Sequence, residues 1–169
     1  FGLDQGFDTY DDRFEEDLDS LGMSERRGGE VTQRALAWLD AHDSEPFFLF
    51  LHYYDPHAAY IPTETFATRF ADNKYAGEIA YTDHCVGEVL EALRTRNLFE
   101  STLIIVPADH GEMRGEHEEA THGYFVYEAA IRVPLIVRLP GGGEHRRVRG
   151  VQSQRRQMDG GRAAGERGR

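Results

Sequence analysis

The sequence contains a single cysteine, Cys85, so no disulfide can form within the chain and cysteine usage leaves the redox compartment undecided. Long apolar runs are missing too, and nothing approaches the length of a membrane-spanning helix. Basic residues are in deficit: 19 Lys and Arg stand against 30 Asp and Glu, and the net charge of −11 excludes a general nucleic-acid binder, whose phosphate contacts require a basic face. No basic-then-apolar leader stands at Phe1, and a chain that starts on Phe rather than Met is expected to be a piece of a longer one. With 169 residues and 40% hydrophobic content the chain suits one globular domain.

Charge is unevenly spread. Asp4, Asp8, Asp11, Asp12, Glu15, Glu16, Asp17 and Asp19 crowd an amino-terminal stretch without helical or strand periodicity, which reads as a loop pinned by Phe7 and Tyr10. Its carboxylates do not follow the offsets of an EF-hand, so a solvated acidic loop is the simpler reading. At the other end, Glu144–Arg169 has too few apolar residues to offset its ordering entropy, and disorder is expected there.

Between these ends the pattern alternates between helix and strand. Val31, Ala35, Trp38 and Leu39 recur at helical spacing between Glu30 and His42 beyond a Gly28-Gly29 break, and Trp38 is expected in the core. Phe47–Tyr54 has the length and aromatic content of a central strand, and it runs out into Asp55-Pro56-His57. His52, inside that run, reads as a core histidine. The longest helix is predicted over Asn73–Arg96, with Tyr75, Ile79, Thr82, Val86, Leu90 and Leu93 as its apolar stripe; Glu78 falls outside that stripe, and Cys85 reads as a packing or surface residue rather than a nucleophile. Thr102–Val106 is a β-branched run ended by Pro107, predicted to be buried on both faces. Strand, helix, strand in this order makes a right-handed βαβ unit and thus a parallel α/β sheet. A further strand is expected over Leu135–Leu139, stopped by Pro140-Gly-Gly-Gly143.

The chemistry sits at the strand exits. Asp109 and His110 follow the second strand, and Gly111 permits the turn that lets both face one target; an oxygen donor beside an imidazole suits a divalent cation, the alternative being a solvated turn. His57, just past the first strand, falls on the same sheet edge if the two strands are parallel. The polar segment Glu112–Gly123 reads as a loop over the site. Its His117 and His122 are five residues apart rather than four, which removes a zincin arrangement.

Gly2-Leu-Asp-Gln-Gly-Phe-Asp8, the run into Asp55-Pro56-His57, Tyr81-Thr-Asp83, Ala108-Asp-His-Gly-Glu112, Gly115-Glu-His117, His122-Gly123 and Arg132-Val-Pro134 together resemble the sulfatases of the alkaline phosphatase superfamily, over residues 1–143 and in the family's order. The resemblance implies a three-layer core on a parallel sheet and a metal-dependent sulfuric ester hydrolase acting on a small-molecule sulfate ester. It implies that Asp109 and His110 are metal ligands, with Ca2+ the usual ion and Mn2+ or Mg2+ the alternatives. It further implies that His57 contacts the sulfuryl oxygens and that His122 occupies the place where a lysine often serves. The family's nucleophile, a formylglycine made from Cys-x-Pro-Ser-Arg or Cys-x-Ala-Ser-Arg, is expected in an upstream segment; Cys85, followed by Val86-Gly87, does not match it, and a piece without the nucleophile is expected to be inactive alone. Periplasmic or secreted location is common in the family. Residues 144–169 depart from the family and read as a shifted frame. The Asp-His pair, where many sulfatases have Asp-Asn, also resembles phosphonate monoester and phosphodiester hydrolases of the superfamily. From the residues alone, a non-catalytic acidic interaction domain stays open as well.

Overall fold

Helix α3, Lys74–Thr95, starts where Asn73 accepts a hydrogen bond from the Ala76 amide (3.1 Å), a side-chain N-cap. It ends where Asn97 takes a left-handed conformation (φ 59°) and the Leu98 amide donates to Leu93 O (2.8 Å), closing the last turn as a Schellman motif does. In the computed structural model, residues 2–13, 25–119, 122–123, 125–142 and 146–148 are described. They fall into two compact units, one within residues 2–102 with 140–142, the other within 103–139 with 146–148.

The first unit is built on α3, α1 (Gly28–His42) and the short α2 (Glu64–Arg69), with α1 and α2 both packed on α3. α1 buries Val31, Thr32, Ala35 and Leu39, close to the predicted stripe, whereas Trp38 is only half-buried and stacks on His42 (4.3 Å between ring centroids). α3 buries a face other than the predicted one: Glu78, Tyr81, Cys85, Val89, Ala92 and Leu93 point inward, and Ile79 is 44% exposed. A helix offers several stripes at i, i+3, i+4 spacing, and here a polar one is inside because its carboxylate, phenol and thiol find hydrogen-bond partners. Cys85 is fully buried, as packing residues are.

Phe47–Tyr54 pairs in no ladder among the described residues. Its burial alternates: Phe47, Leu49, Leu51 and Tyr53 are half-buried while Phe48, Phe50 and His52 are exposed. His52 is therefore an outward-facing side chain and not a core histidine.

The second unit carries a three-stranded sheet in the order β1 (Ile104–Pro107), β2 (Leu135–Arg138), β3 (Arg146–Val148). Both ladders are antiparallel, with Ile104 opposite Arg138 and Pro107 opposite Leu135. The parallel pair that the strand-helix-strand order predicts, Phe47–Tyr54 beside the strand that ends at Pro107, forms no ladder among the described residues, where β1 pairs with β2 instead. β1 is not buried on both faces either, since Ile105, paired with Val137, is 54% exposed. β-Branched content marks a strand but does not count its covered faces. Three residues of the expected unstructured tail form β3; positions 149–169 lie outside the described residues. Among the described residues no helix is long and apolar enough to cross a membrane.

Candidate functional site

In the first unit the loop after Phe47–Tyr54 is tied down from two helices. The first residues of α1 have no capping side chain of their own, and Arg27, at the N-cap, provides none. Asp55 substitutes from a distance: its carboxylate accepts from the Gly28 amide (2.8 Å) and from Arg27 Nη1 (3.1 Å). The next amide, Gly29, donates to the Tyr81 hydroxyl of α3 (2.8 Å). Gly28 is close-packed here, because a Cβ would lie 3.3 Å from Cys85 Sγ and from Tyr53 Cδ1. The Thr82 hydroxyl donates to Asp55 O (3.0 Å).

His57 leaves this anchor half-buried. Its Nδ1 lies 2.8 Å from Ala58 O, a bond that requires Nδ1 to carry the proton, which leaves Nε2 as the reactive nitrogen, 3.5 Å from the Tyr54 hydroxyl. The imidazole stacks on the Tyr54 ring at 4.3 Å. Beneath the loop is Glu78, 2% exposed, whose two carboxylate oxygens accept from the His57 amide (3.1 Å) and the Ile61 amide (2.7 Å). Arg27 Nη1 is 3.6 Å from the same carboxylate. Burial pushes the Glu78 pKa above its ordinary value and the nearby Asp55 charge adds to this, against the lowering effect of the two amides and Arg27.

In the second unit the exit of β1 holds the predicted metal pair. The Ala108 amide donates to Pro134 O (3.3 Å), after which Asp109 and His110 face outward with side chains 75% and 41% exposed. His110 Nδ1 is 2.8 Å from Gly111 O, so Nε2 is again the nitrogen left to ligate, and it stands 3.8 Å from Asp109 Oδ2. Gly111 serves a purpose other than a left-handed turn. Its amide donates to Ala130 O (2.7 Å) in the short helix α4 (Glu128–Ile131), and a Cβ would collide with the Ala129 carbonyl oxygen.

Next to His110 lies His122, ring centroids 3.9 Å apart. Glu112 holds it, one carboxylate oxygen lying 3.0 Å from both the His122 amide and Nδ1. That carboxylate is 6% exposed. Asp109, His110 and His122 are thus gathered around one strand exit, while His57 belongs to the first unit; His117, by contrast, stacks on Tyr127 (3.9 Å). Two carboxylates that sequence reasoning did not single out complete the picture. Glu112 lies inside the Asp-His-Gly-Glu run, and Glu78 shares helical spacing with Tyr81 and Cys85. Among the described residues no group of three or more His, Cys, Asp or Glu is placed to hold a metal ion; the Asp109 carboxylate and His110 Nε2 are an oxygen and nitrogen pair of the kind a divalent cation accepts.

The family model described as Sulfatase matches residues 4–159, and the chain belongs to the sulfatase family. It is 28% identical over 126 residues to an N-acetylgalactosamine-6-O-sulfatase of Bacteroides thetaiotaomicron, covering 65% of this chain and 25% of that protein. It is 32% identical over 136 residues to arylsulfatase K of Mus musculus, covering 72% and 24%. The solved structure of yidJ from Bacteroides fragilis shares the fold, with a TM-score of 0.62, 23% identity and coverage of 70% and 32%. The chain therefore spans about a quarter of the length of these curated relatives.

Proposed function

We propose that this chain supplies part of the metal site and the oxyanion-binding histidines of a divalent-metal-dependent sulfuric ester hydrolase acting on a small-molecule sulfate ester. The carrying observation is the cluster at the exit of β1, where Asp109, His110 and the Glu112-backed His122 meet in a chain of the sulfatase family. Asp109 Oδ and His110 Nε2 would hold the cation, Ca2+ first and Mn2+ or Mg2+ as alternatives. When bound, such an ion neutralises charge on the ester oxygens and on the attacking oxygen.

The chain's own residues do the rest. His57 and His122 each have Nδ1 engaged, by Ala58 O and by Glu112, so Nε2 is the ring nitrogen of each that this proposal assigns to the ester. In the protonated state an Nε2–H donates to a non-bridging ester oxygen or passes its proton to the leaving alkoxide, the two tasks that such a reaction asks of an imidazole. The nucleophile is assigned to a formylglycine outside this chain, on the family resemblance, and the parallel three-layer sheet is assigned on the same ground, with Phe47–Tyr54 as one of its strands. The proposed domain spans residues 1–143.

Asp109-His110 in place of Asp-Asn favours one second reading, hydrolysis of phosphonate monoesters or phosphodiesters. Side-by-side assays of an aryl sulfate and a phosphonate monoester, by the protein carrying this chain with Ca2+ or Mn2+, separate the two. Asp109→Ala, His110→Ala, His57→Ala and His122→Ala are each expected to lower kcat/KM on the sulfate ester by at least about 100-fold. Full activity of Asp109→Ala and His110→Ala would overturn the metal assignment.

A further inference from the structure

We infer that Glu78 is the positioning residue of His57: its buried carboxylate clamps the amides of His57 and Ile61 and thereby sets where the imidazole Nε2 stands. The inference rests on the reading of His57 as an ester-contacting imidazole.

A carboxylate that is 2% exposed in a helix needs compensation, and Glu78 obtains it almost wholly from the loop that carries His57. Oε2 takes the His57 amide at 3.1 Å and Oε1 takes the Ile61 amide at 2.7 Å, so one side chain closes a five-residue loop by bridging its two ends. Two amide bonds to one side chain fix the loop at both of its ends. Arg27 extends the clamp, because its Nη1 lies 3.1 Å from Asp55 Oδ1 and 3.6 Å from Glu78 Oε1, and Asp55 in turn holds the start of α1 through Gly28. The chain is therefore anchored immediately before, at and after His57. What remains to orient the ring is its own bond to Ala58 O and its stacking on Tyr54, both of which require the backbone at residue 57 to be fixed. A side chain serving only to fill the core would not be a carboxylate, and a leucine at this position would leave two amides unpaired.

The test has two arms. In the first, NMR on this chain follows amide exchange and the His57 ring nitrogens in wild type, Glu78→Gln and Glu78→Ala. Glu78→Ala is expected to speed exchange of the His57 and Ile61 amides at least tenfold and to convert His57 from the Nδ1–H tautomer to a mixture, with Val89 and Leu93 in α3 keeping their protection. If Glu78→Ala loses protection in α3 as well, Glu78→Gln decides, since it keeps the size and one acceptor oxygen: one of the two amides is expected to exchange faster and the tautomer to shift. An unchanged tautomer in a folded variant overturns the inference.

In the second arm, aryl sulfate hydrolysis by the protein carrying this chain compares Glu78→Gln with His57→Ala. A drop in kcat of tenfold or more at nearly constant KM for Glu78→Gln supports positioning. Wild-type kinetics for Glu78→Gln beside a disabled His57→Ala overturn the inference and leave the His57 reading standing. Wild-type kinetics for His57→Ala overturn the reading itself, whatever the exchange data show.

Discussion

One oxygen of Glu112 lies 3.0 Å from the backbone nitrogen of His122 and 3.0 Å from its Nδ1, so a single buried carboxylate sets both the chain and the ring of a histidine ten residues away. Removing it leaves two donors without that acceptor in a largely buried place. Glu112→Ala is expected to cost about 1–3 kcal/mol in urea unfolding. Its effect on ester hydrolysis is expected to be about 10–100-fold, as for a carboxylate that orients a working imidazole. Glu112→Gln, which keeps an acceptor oxygen, should fall between. Unfolding and hydrolysis both at wild-type levels in Glu112→Ala would show that the contact does not matter.

Gly111 offers a steric test. A Cβ there meets the Ala129 carbonyl oxygen, and relieving the clash breaks or stretches the Gly111 amide bond to Ala130 O. Gly111→Ala is therefore expected to destabilise by about 1–3 kcal/mol, the range for overpacking, and to displace Asp109 and His110 together. Thermal unfolding and Ca2+ titration of the variant read the two effects.

Glu78 imposes a pH dependence whose sign follows from its raised pKa. In the unfolded chain it titrates near the ordinary value of 4.5, whereas in the fold burial holds the proton more tightly. Its favourable contribution is thus complete below that ordinary value and is lost as pH rises through the folded value. Glu78→Gln cannot titrate. The stability difference between Gln and Glu forms, measured by urea unfolding from pH 4 upward, is expected to move steadily in favour of Gln with rising pH; a flat difference would contradict the assignment.

Asp11 gives the opposite slope at lower pH. Burial opposes its ionisation, but bonds from Arg34 (2.8 Å) and the Arg13 amide (3.2 Å), with the charge of Arg26, outweigh this and hold the carboxyl at about 2 against an ordinary 3.8. Its contribution is present above pH 3.8 and is lost as pH falls towards 2. Amide exchange at residues 11–13 should accelerate over that window, and Asp11→Asn should already show the faster exchange at neutral pH. Because the carboxylate is partly exposed, high salt is expected to weaken the tether.

The placement of ligand-type residues after a strand was legible in the sequence because that information is local. A β-branched run ended by Pro107 announces a strand, and the Asp-His-Gly-Glu that follows places ligand-type residues at its exit. The aromatic run before His57 pointed to a strand as well, yet Phe47–Tyr54 pairs in no ladder among the described residues. Direction and coverage of the strands were not legible: nothing in Ile104–Pro107 specifies that Leu135–Arg138 lies antiparallel beside it with Ile105 facing outward.

What the sequence by itself determined is the extent of the long helix, from Asn73 capping α3 to Asn97 closing it, and the family to which the ordered motifs belong. Only the tertiary structure decided which face of α3 is inside. Local periodicity favours Ile79 and Val86 as readily as Tyr81 and Val89, and hydrophobicity alone points Glu78 to solvent. The inward turn of Glu78 is stabilised by the amides of His57 and Ile61, and that of Tyr81 by the amide of Gly29. Those partners lie 17 to 52 residues away along the chain, beyond the reach of any local pattern, and a buried polar group is tolerated only where such partners arrive.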